Sequence, residues 1–326
     1  MNIVSRAKEV LGSHIDILIP ESKDPQYSDS ILSECFSELD RIQATYSRFL
    51  DTSILSQMNS KLGEWHTVSD EFLDILLRAE ELRKLTDGNF DITVKSTLDR
   101  LGYDKDYSFV EKKDDGNAGG PEDEQKSVLE RIKDTLTDKI NTKNSAPILI
   151  DAKKKRVMLN KEIEIGGFGK GFAIDRIRSI LEKNGILHYF INAGGDVYAK
   201  ADSGSGEKEW DVLLENPDDL SQAIGKIKLD SQALACSAPN RRKWGKDKQY
   251  HHLINAKTRL PENSVKAIFV LANSGIEADG YATALFTAGY AEAIRLSRRL
   301  PVKICIISAR NEMFVSGGFA IEFFTK

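Results

Sequence analysis

The chain has 326 residues, a length that suits two domains or one large domain with lobes. Hydrophobic residues make up 40% and charged residues 29%, ordinary for a soluble globular protein, and a net charge of −4 removes any general electrostatic reason to bind nucleic acid or an anionic membrane. Cys35, Cys236 and Cys305 are odd in number and widely spaced, which fits neither a zinc pattern nor a disulfide framework.

The first residues, MNIVSRAKEVLGSHIDILIPESKD, lack the apolar core and cleavage site of a secretory signal. No stretch approaches ~18 consecutive apolar residues, so no transmembrane segment is expected and cytoplasmic residence is the expectation. HIDILIP (14–20) alternates and is β-branched, which predicts a strand. Residues 28–49 show helical spacing in Ile31, Leu32, Cys35, Phe36, Leu39 and Ile42, and 50–60 read as a polar turn ending in Asn59 and Ser60. A helix is predicted over 69–88, with Ser69 as N-cap, Phe72, Leu73, Leu76 and Leu77 as its apolar face, and Gly88 as its stop. TDGNFDITV (86–94) reads as an Asx-Gly turn running into a strand. Residues 111–127 are acidic and contain glycine and proline but no core-forming side chains, which predicts a flexible acidic insertion.

A helix at 128–140 and strands near 147–151 and 156–159 follow. IEIGGFGKGF (163–172) sets four glycines around Lys170 and opens a helix. HYFINAGGDVYAKA (188–201) predicts two strands about a Gly-Gly turn, and strands are expected at 210–217, 223–237, 251–258 and 266–274. Helical segments over 275–300 break at Gly289, and strands near 302–308, 313–317 and 320–326 close the chain. Strands and helices mix without a regular βαβ repeat. The fold class is therefore α+β, with largely antiparallel sheets and packed helices.

The glycine turn is neither of the two named phosphate motifs. A Walker A loop needs Ser or Thr after the lysine, and Gly171 stands there; a dinucleotide fingerprint needs a final glycine where Phe172 stands. Glycines at a helix N-terminus beside a lysine still suit an anion, and they equally let a helix pack closely on a neighbour. In EADGYATALFTAG (277–289), Asp279 and Thr283 share a helix face and offer hard oxygen ligands for Mg²⁺ or Ca²⁺, although the same pair also suits an ordinary helix start. In YHHLINAKTRLP (250–261), two adjacent strand histidines face opposite ways, so only one can serve as a general base in a given site.

Taken in order, six segments resemble the ApbE-type FAD:protein FMN transferases, or flavin transferases. They are SRFLDTSILSQMN (47–59), TDGNFDITV (86–94), EIGGFGKGFAID (164–175), INAGGDVYA (191–199), HLINAKTRLP (252–261) and ADGYATALF (278–286). The resemblance spans about residues 12–320 and implies a single ApbE-like domain over 1–326, two-lobed, with FAD in the cleft. It implies Mg²⁺-dependent transfer of FMN from FAD to a Thr or Ser hydroxyl of an acceptor flavoprotein, with release of AMP. The alternative within the family is hydrolysis of FAD to FMN and AMP. A non-enzymatic FAD-binding protein is disfavoured by the retention of Asp279, Thr283, Lys170 and His252.

The same resemblance implies that Asp279, Thr283 and the backbone carbonyl of Gly167 hold Mg²⁺, and that Glu164 and Lys170 contact FAD. It sets Phe49, Asn89, Phe90, Asp91 and Leu253 against FAD and makes His252 the base for the acceptor hydroxyl. Departures are Glu164 where Asp is usual, Asn255-Ala256 where Asp-Pro is commoner, and Lys257-Thr258-Arg259 in place of x-Thr-Gly. The absent signal peptide points to a cytosolic flavinylation system or to a module of a larger chain.

Overall fold

A computed structural model of the protein describes residues 2–21, 24–112, 146–201 and 209–324. The helix expected at 128–140 and residues 113–127 of the acidic insertion lie outside these. In chain order the elements are β1 (Ile3–Val10), β2 (Ser13–Pro20), α1 (Pro25–Tyr46), α2 (Ile54–Asn59), β3 (Trp65–Thr67), α3 (Asp70–Leu85) and α4 (Lys95–Arg100). Then come β4 (Ile148–Asp151), β5 (Arg156–Leu159), α5 (Gly169–Lys183), β6 (Tyr189–Ala193), β7 (Asp196–Lys200), β8 (Trp210–Asn216), β9 (Asp219–Leu229) and β10 (Gln232–Ser237). The chain closes with β11 (Lys243–Trp244), β12 (Tyr250–His251), β13 (Val265–Ala272), α6 (Gly275–Ala288), α7 (Tyr290–Ser297), β14 (Lys303–Ser308), β15 (Met313–Val315) and β16 (Glu322–Phe323).

Among the described residues the largest sheet has eight strands in the order β1-β2-β6-β7-β10-β13-β14-β15, antiparallel throughout. It is covered on both faces. Along β13, Ile268, Val270 and Ala272 join the core shared with α1, α5 and α6, while Ala267, Phe269 and Leu271 join the core shared with β8 and β9. This period-two division explains why KAIFVLANS is apolar without a break. The sheet β16-β9-β8 lies over that second face, and β3-β5-β4 forms a further small sheet. The architecture is α+β and antiparallel, as the irregular alternation of elements predicts.

Four local expectations are corrected. Residues 50–60 are not simply a turn: Ser53 caps α2 by accepting the Ser56 N–H, and Leu55 and Met58 are buried beneath it. The segment after Gly88 is a 3₁₀ turn over Ile92–Val94, not a strand, because the Asp91 carboxylate takes the Thr93 N–H and hydroxyl. HHLINAKT contributes only His251, the last residue of β12, followed by an isolated bridge between Ile254 and Pro261, because Asn255 turns the chain there. Leu77 lies on the exposed side of α3 rather than on its apolar face, whereas Ser69 caps that helix as expected. The N-terminal strand β1 was unforeseen: its residues alternate only weakly, and among the described residues it is an edge strand paired to β2 alone.

Candidate active site

The glycine turn sits where α5 meets α6. A Cβ on Gly171 would lie 2.1 Å from the Gly275 carbonyl oxygen, and a Cβ on Gly275 would lie 2.5 Å from the Gly171 oxygen. No side chain fits between these backbones, so close helix packing is one reason for the glycines. The crossing also has a polar consequence. Asp279, on α6 and 3% exposed, accepts the Gly171 N–H through Oδ2 at 2.9 Å. Asp175 on α5 accepts the Gly275 and Ile276 N–H groups at 2.8 and 3.0 Å, so each helix satisfies donors in the first turn of the other.

Gly167 backs onto Thr283, whose Cγ2 would be 3.1 Å from an added Cβ. Asp279, Thr283 and the Gly167 main chain thus converge from two elements, and all three line one cavity. Glu164 braces the turn: its carboxylate accepts the Gly166 N–H at 2.8 Å, and its own N–H reaches the Ile92 carbonyl at 2.8 Å. Burial lifts the Glu164 pKa, against the pull of the Arg48 guanidinium.

Lys170 stands between two buried carboxylates. Its ammonium is bonded to Asp196 and lies 3.2 Å from Asp279 Oδ1. Burial opposes the charge, but the two carboxylates outweigh it and hold the lysine pKa above its usual range. Burial lifts Asp196; Lys170 resists that lift and Asp279 adds to it. Two carboxylates sharing one ammonium leave this corner with a formal deficit of positive charge.

The two histidines separate cleanly. His251 is 1% exposed, with Nε2 at 3.1 Å from the Glu262 carbonyl and Nδ1 accepting the Leu253 N–H at 3.2 Å. His252 instead lines the cavity, and its buried Nδ1 has no hydrogen-bond partner among the described residues. Burial, then the cations of Arg242, Lys170 and Arg48 with the neighbouring His251, push its pKa down to about 3, so it is neutral at pH 7 and able to accept a proton.

The cavity is about 990 Å³, and Phe49, Asn89, Phe90, Asp91, Leu253 and Lys170 all line it. They are not equally available. Phe49 stacks on Tyr107 with ring centres 4.8 Å apart and carries the Arg48 guanidinium at 4.3 Å. Phe90 is 2% exposed and packs edge-on against Phe168, while the Asn89 amide donates to the Thr86 carbonyl at 2.8 Å. Asp91 is engaged by Thr93 and by Arg259 Nη2 at 2.8 Å.

The residues matched by the sequence profile of the ApbE family are 11–307, most of the chain. The chain belongs to the ApbE family. Among ApbE-family relatives, the FAD:protein FMN transferase of Buchnera aphidicola subsp. Schizaphis graminum is 24% identical over 313 residues, covering 94% of this chain and 86% of its own. That of Haemophilus influenzae is 26% identical over 282 residues, covering 84% and 76%. The crystal structure of an ApbE protein from Thermotoga maritima superposes with a TM-score of 0.80 at 25% identity, covering 98% of each chain. The flavin transferase ApbE from Vibrio cholerae shares the fold, with a TM-score of 0.76 at 22% identity over 98% of each chain.

Several residues in or beside the cavity of this ApbE-family chain escaped sequence reasoning. Asp196 lies directly after the Gly194-Gly195 turn, inside a segment already singled out, but nothing in the sequence showed that it faces Lys170. Arg48, Tyr103, Tyr107 and Arg242 come from three separate stretches, and only folding brings them together around Phe49 and His252.

Proposed function

We propose that this chain transfers FMN from FAD to a Thr or Ser hydroxyl of an acceptor protein and releases AMP, with Mg²⁺ as cofactor. One observation carries the reading. His252, Lys170, Asp279, Thr283 and Gly167 all line a single cavity of about 990 Å³. That volume is at the upper end of small-molecule pockets, ~300–1,000 Å³, as a dinucleotide requires.

The oxygen donors fit a hard cation: one carboxylate from Asp279, one hydroxyl from Thr283 and the Gly167 carbonyl. When bound, Mg²⁺ supplies positive charge against the pyrophosphate oxygens. Lys170 is held charged and adds a fixed cation beside the same group. The acceptor hydroxyl oxygen attacks the phosphorus of the FMN half. The bond from that phosphorus to the bridging oxygen breaks, and AMP leaves with the oxygen. The hydroxyl proton passes to the neutral imidazole of His252, which lines the cavity.

Burial is the main reason that His252 is held low, and anionic FAD offsets only the smaller push from the cations of Arg242, Lys170 and Arg48. The glycine turn keeps side chains away from the phosphates, and the Phe49–Tyr107–Tyr103 cluster offers aromatic faces to a ring system. The reading is tested by incubating the protein with FAD, Mg²⁺ and a Thr-containing acceptor. Flavin fluorescence on the denatured acceptor together with AMP supports it. AMP and free FMN without labelled protein assign the chain as a hydrolase instead.

A further inference from the structure

Arg259 has left-handed backbone, φ +57°, where the family resemblance places glycine. A side chain there strains the backbone in a way that glycine avoids. The guanidinium is the visible return. Nη2 donates to Asp91 Oδ2 at 2.8 Å and to Thr93 Oγ1 at 3.2 Å, and Nη1 donates to the Thr93 carbonyl at 3.2 Å. All three contacts cross from the histidine loop to the turn after Phe90, more than 160 residues earlier in the chain.

Both ends of this bridge are rigidly held. The Asn255 side chain takes the Lys257 and Thr258 N–H groups, the Asn255 carbonyl takes the Arg259 N–H, and Leu253 and Glu262 pair beside His251. On the other side, the Ile92 carbonyl takes the Glu164 N–H, and Glu164 in turn holds the Gly166 N–H. A continuous chain of hydrogen bonds therefore runs from the glycine turn through Ile92 and Asp91–Thr93 to Arg259 and the loop that bears His252.

We propose that Arg259 is a positioning residue that fixes the distance between the His252 loop and the glycine turn. The proposal rests on the transferase reading above, because that distance matters only if His252 acts on a hydroxyl next to phosphates held at the turn. Arg259 does not itself line the cavity; it acts through Asp91, which does.

The test compares R259G and R259K with the parent protein, full chain, in FMN transfer, FAD binding, thermal unfolding and amide hydrogen exchange. R259G restores the residue suited to the left-handed turn, so it unfolds no earlier than the parent. Its transfer rate falls roughly 10–100-fold, the scale of a misplaced catalytic group, while FAD affinity is little changed. Exchange quickens over residues 89–94 and 252–260. R259K recovers part of the rate, since an ammonium reaches Asp91 but cannot reproduce the fork. Unchanged turnover or unchanged exchange in R259G overturns the proposal. So does a loss of thermal stability in step with activity, which makes Arg259 a structural brace only. A parent that transfers no flavin sinks the transferase reading, and the exchange measurement then still decides whether Arg259 couples the two segments.

Discussion

Asp279 and Gly171 are joined across two helices by a 2.9 Å hydrogen bond from the glycine N–H to the carboxylate, at the point where the backbones of Gly171 and Gly275 touch. The glycine pair and the acidic residue are therefore one device. The close crossing brings the carboxylate to the N-terminal turn of α5, where it also faces Lys170. The glycines serve the packing, and on the proposed function they serve the chemistry as well.

Substitution at the crossing is predicted to be costly in stability. Gly171→Ala and Gly275→Ala each force a Cβ within 2.5 Å of backbone oxygen, and each should lose about 1–3 kcal/mol, read by urea denaturation. Gly169→Ala is the control. Its Cβ meets nothing closer than 3.7 Å, so its stability should stay within about 0.5 kcal/mol of the parent. Equal losses at all three positions would refute the crossing as the cause.

Asp279→Ala is predicted to abolish Mg²⁺-dependent turnover and Mg²⁺ binding measured by calorimetry. It removes the only carboxylate among the proposed metal ligands and leaves Lys170 with Asp196 alone. Activity that persists at ordinary Mg²⁺ concentrations contradicts the metal assignment.

The adjacent histidines should separate by readout. His252→Ala should slow transfer by ~10²–10⁴ with FAD binding kept, as expected for loss of a general base. His251→Ala should chiefly lower the melting temperature, because both nitrogens of that buried ring are bonded to the loop. The opposite pattern assigns the base to His251.

Acid should destabilise the fold in part through these rings. Burial is the main reason that His251 and His252 are held down to about 4 and about 3, below the ordinary imidazole value of ~6.5. The unfolded chain then binds protons that the folded chain refuses. The contribution is intact above pH ~6.5 and is lost as pH falls from there toward 4 and 3. Glu164 and Asp175, raised by burial, act with the opposite sign, so the informative quantity is a difference between proteins. Between pH 7 and pH 5, His252→Asn should lose about 2 kcal/mol less stability than the parent. Parallel losses contradict the buried neutral imidazole.

Much of this was legible in the sequence because it depends on local spacing. Alternation exposed β2, Ser69 marked a helix start, and Asp279 and Thr283 fell on one helix face because they are four apart. Short polar segments misled. Residues 50–60 and 86–94 are organised by Ser53 and Asp91 capping their own backbone, which gives no hydrophobic period to read. Asn59 shows the deeper limit. Its amide exchanges two hydrogen bonds with the backbone of Ile163, more than a hundred residues away, and so docks α2 beside the glycine turn. Asp196 against Lys170 and Arg259 against Asp91 are of the same kind: polar pairs made by topology, with no signature in either local stretch.

The central claim is that one cavity moves FMN from FAD to a protein hydroxyl. The most direct measurement is mass spectrometry of a Thr-bearing acceptor after incubation with the protein, FAD and Mg²⁺, with AMP quantified in parallel. The account predicts an FMN adduct on the acceptor hydroxyl, one AMP released per adduct, and neither product with the Asp279→Ala protein. FAD left intact, or AMP released without any adduct, contradicts it.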